Sequence, residues 1–181
     1  GGSVVRSMVA VDQSQINLSN QPFLSMLKIL RDDLRQVIDS GSSTGAKVPD
    51  TPILWGAPLR HRFTQLFDEL DITTKWSFPE SWQKQPTPLV CLTLLRVAEE
   101  ALTNILKHSQ ATSVKCTLFF SNGQLVLDIE DNGIGFDVEA VKNAGMSVGL
   151  RSMQTRLERL GGHLTVQSEA GRTCLKACLP V

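Results

Sequence analysis

Alternating apolar and polar positions predict two β-hairpins in the second half of the chain. The apolar positions of the first hairpin fall on every second residue: Val114, Cys116, Leu118, Phe120, Leu125, Leu127 and Ile129. Asn122-Gly123 separates the two runs and is typical of a type I′ turn. A terminal hairpin is predicted over 163–168 and 173–179, with its turn at 169–172. A further short strand is predicted over 72–78, where polar and apolar positions also alternate.

Helical spacing of apolar residues predicts three helices around these strands. One amphipathic helix is expected over 57–70, and a longer one over 88–109. The predicted buried side of the longer helix is Leu92, Leu95, Leu102, Ile105 and Leu106. A third helix begins near 150 and ends at Gly161-Gly162. Together the elements predict an α/β (α+β) two-layer sandwich, with about three helices on a largely antiparallel sheet.

The first 56 residues carry a different pattern. Residues 1–19 are polar and irregular, whereas 20–37 carry a narrow seam of apolar residues at heptad spacing: Phe23, Leu27, Leu30, Leu34 and Val37. Such a seam favours a helix that packs in a dimeric bundle, although a packing helix of a monomer is the alternative. The segment 40–52 is rich in Gly, Ser and Pro and predicts a flexible loop.

Composition narrows the classes of function. Among 181 residues, 18 Lys and Arg balance 18 Asp and Glu, so nothing indicates a nucleic-acid partner. Apolar runs stay shorter than the roughly 20 residues that cross a bilayer, so we expect a soluble piece without membrane contact. The start at Gly1-Gly2-Ser3 suggests part of a longer protein. Four cysteines without a CxxC spacing predict buried, reduced thiols.

A polar stripe on the predicted helix 88–109 suggests a metal–phosphate site. Arg96, Glu100, Asn104 and His108 are spaced by four residues, with Lys107 beside them, and therefore share one face. A solvated face explains the charges, but Asn is a poor residue for a helix interior. An amide oxygen can ligate Mg²⁺, the two bases can face phosphate oxygens, and the acid can order water or accept a proton.

The stretch "DIEDNGIGFD" (128–137) ends the second strand of the first hairpin. Asp131 could accept a hydrogen bond from an exocyclic amine such as that of adenine. Gly133 and Gly135 would let the backbone approach a flat base. A tight turn with a capping Asp explains the segment equally well, so the local pattern leaves both interpretations open.

Three segments together resemble the ATP-binding (HATPase_c, GHKL or Bergerat) domain of sensor histidine kinases. "RVAEEALTNILKHSQAT" (96–112) resembles its Asn box, and "DIEDNGIGFD" its first glycine box. "SVGLRSMQTRLERLGGHLTVQSEAGRTCLKACLP" (147–180) resembles the second glycine box and the terminal hairpin. The residues in these segments are most similar to those of the nitrate/nitrite-sensor-like subfamily. The resemblance implies a Bergerat fold: a catalytic domain with its entry helix over 57–181, after the end of a second dimerisation helix and a loop over 20–56.

The resemblance also implies roles for single residues. It implies a catalytic or water-ordering role for Glu100, and ATP binding by Asn104, Lys107, His108, Asp131, Gly133, Gly135, Gly149, Leu150 and Thr173. Asn104 would ligate Mg²⁺, and Asp131 would contact adenine N6. Two positions depart from the family pattern: Ser147 stands where Gly is common, and Arg172 separates Gly171 from Thr173.

The implied activity is that of a protein-histidine kinase in a two-component phosphorelay. ATP and Mg²⁺ are the implied cofactors, and a response regulator is the implied partner. The full-length protein is expected to be a homodimer in the cytoplasm, with an inner-membrane anchor left open. His108 belongs to the Asn box, His163 begins a strand, and His61 lacks a following acid. The phosphoacceptor histidine is therefore expected outside this chain.

Other functions fit parts of the sequence. A non-transferring nucleotide-binding regulatory module (a degenerate kinase) is compatible with the missing acceptor, although Glu100, Asn104 and Asp131 are intact. A serine kinase of the anti-sigma type has the same motifs but lacks dimerisation helices, so the seam over 23–37 argues against it. A purely structural domain would leave the polar stripe solvated.

Overall fold

The computed structural model describes residues 47–135 and 148–181, which lie in one compact unit, Ala46–Val181. The elements are α1 (Pro52–Glu69), β1 (Thr73–Ser77), α2 (Pro88–Asn104) with a following π-helical turn (Ile105–Ser109), β2 (Ser113–Ser121), β3 (Gln124–Asp131), α3 (Val148–Arg159), β4 (His163–Glu169) and β5 (Arg172–Pro180). The predicted seam helix of 20–37 and the segment 136–147 lie outside the described residues.

The five strands form one sheet in the order β1-β2-β3-β5-β4. The β2/β3, β3/β5 and β4/β5 pairs are antiparallel, while β1 lies parallel to β2 at the edge, so the predicted, largely antiparallel sheet is confirmed. Asn122 (φ 52°) and Gly123 (φ 75°) both have positive φ, as a type I′ turn requires. This turn fixes the β2/β3 register and therefore the face on which each side chain lies.

The apolar core lies between the helices and one face of the sheet. The inward positions Leu125, Leu127 and Ile129 of β3 are almost completely buried, as their alternation predicts. The predicted buried side of α2 is partly wrong, because Leu92 and Leu95 are only half-buried and Leu94 is fully buried. The reason is that α2 packs against α1, α3 and the sheet, which widens and rotates its buried arc.

Helix α1 begins at Pro52, five residues before the predicted start at 57. Thr51 caps it by accepting the backbone N–H of Leu54 on its hydroxyl oxygen at 3.1 Å, and Pro52 is a favourable first helical residue. The missed sequence signal was therefore the Thr-Pro pair at the end of the predicted loop. A buried hydrogen bond joins α1 to α2, from Trp55 Nε1 to the carbonyl oxygen of Cys91 at 2.9 Å.

The end of α3 follows the prediction. Gly161 has φ 80°, and the N–H of Gly162 donates to the carbonyl of Leu157 at 2.8 Å, which closes the helix with a Schellman motif. The four cysteines are free and buried, as expected. Burial raises the pKa of the Cys116 thiol to about 12, so this thiol stays protonated at neutral pH.

Gly56 provides a test of the packing between α1 and the chain after β1. A Cβ at this position would lie 2.6 Å from the ring of Phe78, which packs edge-on against Trp55. We expect Gly56→Ala to lower the free energy of unfolding by about 1–2 kcal/mol in the wild-type background, measured by urea denaturation.

The same substitution in a Phe78→Ala background serves as the control. There the clash is gone, and the helix propensity of alanine should make Gly56→Ala stabilising by up to about 1 kcal/mol. Equal effects of Gly56→Ala in both backgrounds would contradict this account of the packing.

Candidate functional site

Asp131 occupies the last inward position of β3, in line with the core residues of that strand. It is 5% exposed, and its cross-strand neighbours are Val114 on β2 and Thr173 on β5. Its Oδ1 accepts the backbone N–H of Gly133 at 2.8 Å. The structure therefore pairs two of the predicted site residues, Asp131 and Thr173, on the helical side of the sheet.

The environment of Asp131 disfavours its charge. Burial raises the pKa of its carboxyl group, the hydrogen bond from Gly133 lowers it in part, and the nearby Glu130 raises it further. A buried carboxylate with one backbone donor gains stability from an additional donor, such as a ligand amine. The two interpretations of Asp131, a capping residue in a turn and a ligand-binding residue, are therefore compatible. The hydrogen bond that belongs to the turn also holds the carboxylate at the edge of the core.

The two glycines after Asp131 lie against the β4/β5 turn. The carbonyl oxygen of Gly133 accepts the N–H of Gly171 at 2.9 Å. Gly135 has φ 72°, and a Cβ there would lie 2.5 Å from the carbonyl oxygen of Glu169. Glycine is therefore required at 135 by both backbone conformation and space.

Asn132, which lies between these residues, has a structural role that the sequence did not reveal. Its Oδ1 accepts the backbone N–H groups of Thr112 and Ser113, each at 2.9 Å, and its Nδ2 donates to the Thr112 hydroxyl at 2.8 Å. The amide thus fastens the end of β3 to the segment that enters β2 after the π-helical turn.

Glu100 and Gly149 meet where α2 passes the start of α3. A Cβ on Gly149 would overlap the Glu100 carboxylate, so a larger residue here would displace the end of this side chain. Glu100 and Asn104, one turn later on α2, are both half-buried. Leu150 follows at the helix start and is also half-buried, ahead of the buried Met153.

The predicted stripe treated 88–109 as one continuous α-helix, which is wrong at its end. The α-helix stops at Asn104, and the next five residues form a π-helical turn that carries Lys107 and His108, both exposed. A π turn changes the angle between successive side chains, so His108 does not continue the four-residue spacing. Partial desolvation, and then the charge of Lys107, lower the pKa of His108.

A partly buried ion pair next to Glu100 was also missed. Arg62 on α1 contacts the Glu99 carboxylate on α2 at 3.5 Å, and the Glu99 side chain is only 3% exposed. The sequence offered no specific signal, because the two residues are far apart in the chain. This contact holds the Glu99 side of α2 against α1. The next side chain, Glu100, lies toward α3.

The predicted site residues thus form two groups on the helical side of the sheet. One group surrounds Asp131 and includes Gly133, Gly135 and Thr173, and the other lies on α2, the π-helical turn and the start of α3. Within the described ranges, no cluster of three or more His, Cys, Asp or Glu residues could hold a metal by itself. No helix in the same ranges is long and apolar enough to cross a membrane.

Residues 91–181 match the protein family described as "Histidine kinase-, DNA gyrase B-, and HSP90-like ATPase". The sensor histidine kinase LiaS of Bacillus subtilis is 36% identical over 132 residues, which cover 71% of this chain and 36% of LiaS. The sensor histidine kinase ComP of the same organism is 40% identical over 81 residues, covering 45% of this chain and 10% of ComP. The chain therefore spans well under two thirds of either relative.

Solved structures show the same fold. The histidine kinase domain of the blue-light activated histidine kinase of Erythrobacter litoralis EL346 aligns with a TM-score of 0.59 at 19% identity, covering 98% of this chain and 84% of that domain. The Acinetobacter baumannii histidine kinase AdeS aligns with a TM-score of 0.60 at 13% identity, covering 98% and 93%. These likenesses confirm the predicted two-layer α/β fold, while the nitrate/nitrite-sensor-like assignment stays a prediction.

The raised pKa of Asp131 gives a pH-dependent test of the site. A carboxyl group whose pKa is raised by folding contributes most stability below its ordinary pKa of about 3.9, and this contribution is lost as pH rises through the folded-state pKa. We therefore expect Asp131→Asn to gain stability relative to the wild type between acidic and neutral pH, measured by denaturant unfolding at several pH values. A constant difference across that range would contradict a buried carboxyl group whose pKa is raised by folding.

Proposed function

Because the chain belongs to the family of histidine kinase-, DNA gyrase B-, and HSP90-like ATPases, we propose that it is the ATP-binding catalytic domain of a sensor histidine kinase. The observation that carries this proposal is the buried Asp131 carboxylate, which lies beside Thr173 and accepts the backbone N–H of Gly133. A nucleobase with an exocyclic amine would supply a further donor to this buried carboxylate.

The base end of the proposed site is the group around Asp131. Its carboxylate accepts a hydrogen bond from the adenine N6 amine, and Gly133 and Gly135 form the wall along the ring. Thr173 contributes a hydroxyl from the neighbouring strand. The support for this arrangement is the cross-strand pairing of Asp131 with Thr173 and the close packing of Gly135.

The phosphate end combines α2 with the turn that follows it and with the start of α3. Lys107 and His108 face the phosphate oxygens, while Gly149 and Leu150 lie in the first turn of α3, where Gly149 contacts Glu100. Lys107 and His108 are exposed on the π-helical turn, so both basic side chains are accessible to an anion. Glu100 orients the attacking group or accepts its proton, which its half-buried position against Gly149 supports.

The donor set fits Mg²⁺ that is bound together with the nucleotide. Asn104 would hold the ion through its amide oxygen, a hard ligand suited to this cation. When bound, Mg²⁺ neutralises charge on the phosphates. The lack of a three-residue acidic or His/Cys cluster in the described ranges agrees with an ion that takes its remaining ligands from phosphates and water.

The proposed reaction moves the γ-phosphoryl group of ATP to a histidine. An imidazole nitrogen attacks the γ-phosphorus, the bond to the β,γ-bridging oxygen breaks, and ADP leaves. His61 lies on α1 before Arg62 rather than before an acid. His108 lies on the π-helical turn at the phosphate end, and His163 begins β4, so neither takes the role of acceptor. The phosphoryl group then passes to an aspartate of a response regulator, and the full-length protein works as a homodimer in the cytoplasm.

Nucleotide titration tests the base site. We expect calorimetry with ATP and Mg²⁺ to show binding to the wild-type chain and a loss of at least about tenfold in Asp131→Asn, because the amine loses a charged acceptor. Asp128→Asn is the matched control, since Asp128 lies on the same strand but on the opposite face and should leave the affinity within about twofold. Equal affinities in all three proteins would contradict the proposed adenine contact.

Phosphate transfer tests the position of the acceptor. We expect the chain, incubated with γ-labelled ATP and Mg²⁺, to retain no acid-labile, alkali-stable phosphate, because none of its histidines is the acceptor. The bound nucleotide should nevertheless be detected in parallel by filter binding. Stable labelling that disappears in His61→Gln would instead identify an acceptor on α1.

A further inference from the structure

Two contacts fasten the β4/β5 turn to the end of β3 and to the glycine segment that follows it. Gly171 donates its N–H to the carbonyl of Gly133 at 2.9 Å. Arg172 forms an ion pair with Glu130, its diagonal neighbour on β3. Arg172, which departs from the family pattern, thus contributes to holding this turn in place.

This fastening brings Ser168 into the group around Asp131. Ser168 is the cross-strand neighbour of Thr173, which is itself the neighbour of Asp131, so the three residues form one row across β4, β5 and β3. The two hydroxyl oxygens of Ser168 and Thr173 are 2.7 Å apart, at hydrogen-bonding distance. A Cβ on Gly135 would also lie 3.0 Å from the Ser168 hydroxyl.

We propose that Ser168 is a positioning residue for base recognition, which acts by donating its hydroxyl proton to Thr173 Oγ1. With its oxygen occupied in this way, the Thr173 hydroxyl directs its own proton toward the ligand. The inference rests on the proposed function, since it assumes that the group around Asp131 receives the nucleobase. Sequence reasoning did not single out Ser168.

The proposed direction of these hydrogen bonds selects between purines. The edge of adenine presents an amine donor at N6 beside a ring acceptor at N1, which match the Asp131 acceptor and the Thr173 donor. Guanine presents the reverse order, with an acceptor at O6 and a donor at N1. A site whose donors and acceptors are fixed rejects the reversed pattern, because buried polar groups would then stay unpaired.

The test compares ATP and GTP binding by calorimetry in Ser168→Ala, Thr173→Val and the double variant. We expect Ser168→Ala to weaken ATP binding about fivefold and to narrow the ATP/GTP affinity ratio, because the Thr173 hydroxyl can then turn and accept a proton. Thr173→Val should weaken ATP binding at least as much. The double variant should bind no more weakly than Thr173→Val alone, since Ser168 acts through Thr173.

Two further variants separate hydrogen bonding from packing. Ser168→Thr keeps the hydroxyl and should retain the wild-type ATP/GTP ratio, even if its extra methyl group shifts the melting temperature. Thr165→Ala lies on the same strand with its side chain on the other face and should change neither affinity.

The outcomes distinguish this inference from the function on which it rests. An unchanged ATP/GTP ratio in Ser168→Ala, or additive losses in the double variant, would overturn the role of Ser168 while Asp131-dependent ATP binding stands. If the wild-type chain bound no ATP, both proposals would fail together. If Ser168→Thr narrowed the ATP/GTP affinity ratio as much as Ser168→Ala did, packing and not the hydroxyl would be responsible for the selectivity, and the proposed role of Ser168 would be wrong.

Discussion

The site depends on one constraint: a carboxylate occupies the last core-facing position of a central strand. Strand alternation places Asp131 on the same face as Leu127 and Ile129, so the acid is buried whether or not a ligand is present. The backbone N–H of Gly133 offsets part of the cost of its desolvation. The neighbouring glycines, the row to Thr173 and the fastened β4/β5 turn all serve to shape the space beside this carboxylate.

The second half of the site follows from the central position of α2. Because α1, α3 and the sheet all cover this helix, its polar residues cannot be fully solvated. The Arg62–Glu99 ion pair fixes one face toward α1, and Gly149 leaves the Glu100 carboxylate room on another. A half-buried acid and a half-buried amide lie one turn apart on α2, although the covered positions of a helix are usually apolar. Such departures from the usual pattern are expected at functional sites.

Local patterns predicted the parts of the fold that local physics determines. Alternation of apolar and polar residues predicted the strands, Asn122-Gly123 predicted the hairpin turn, and Gly161-Gly162 predicted the end of α3. Each of these signals lies within a few residues of the structure that it determines. The π-helical turn, the full extent of α1 and the pairing of Ser168 with Thr173 were missed. These features depend on contacts between distant segments, which a single sequence does not display.

Asn132 makes the end of β3 unusually sensitive to a shift in its register. Two successive side chains serve opposite purposes, since Asp131 lies in the core and Asn132 fastens the entry to β2. A deletion of one residue in β3 would bring the amide of Asn132 to the core position, and an insertion would place the carboxylate of Asp131 against the two backbone N–H groups. Natural variation in this strand should therefore proceed by substitution, with the length of the strand held constant.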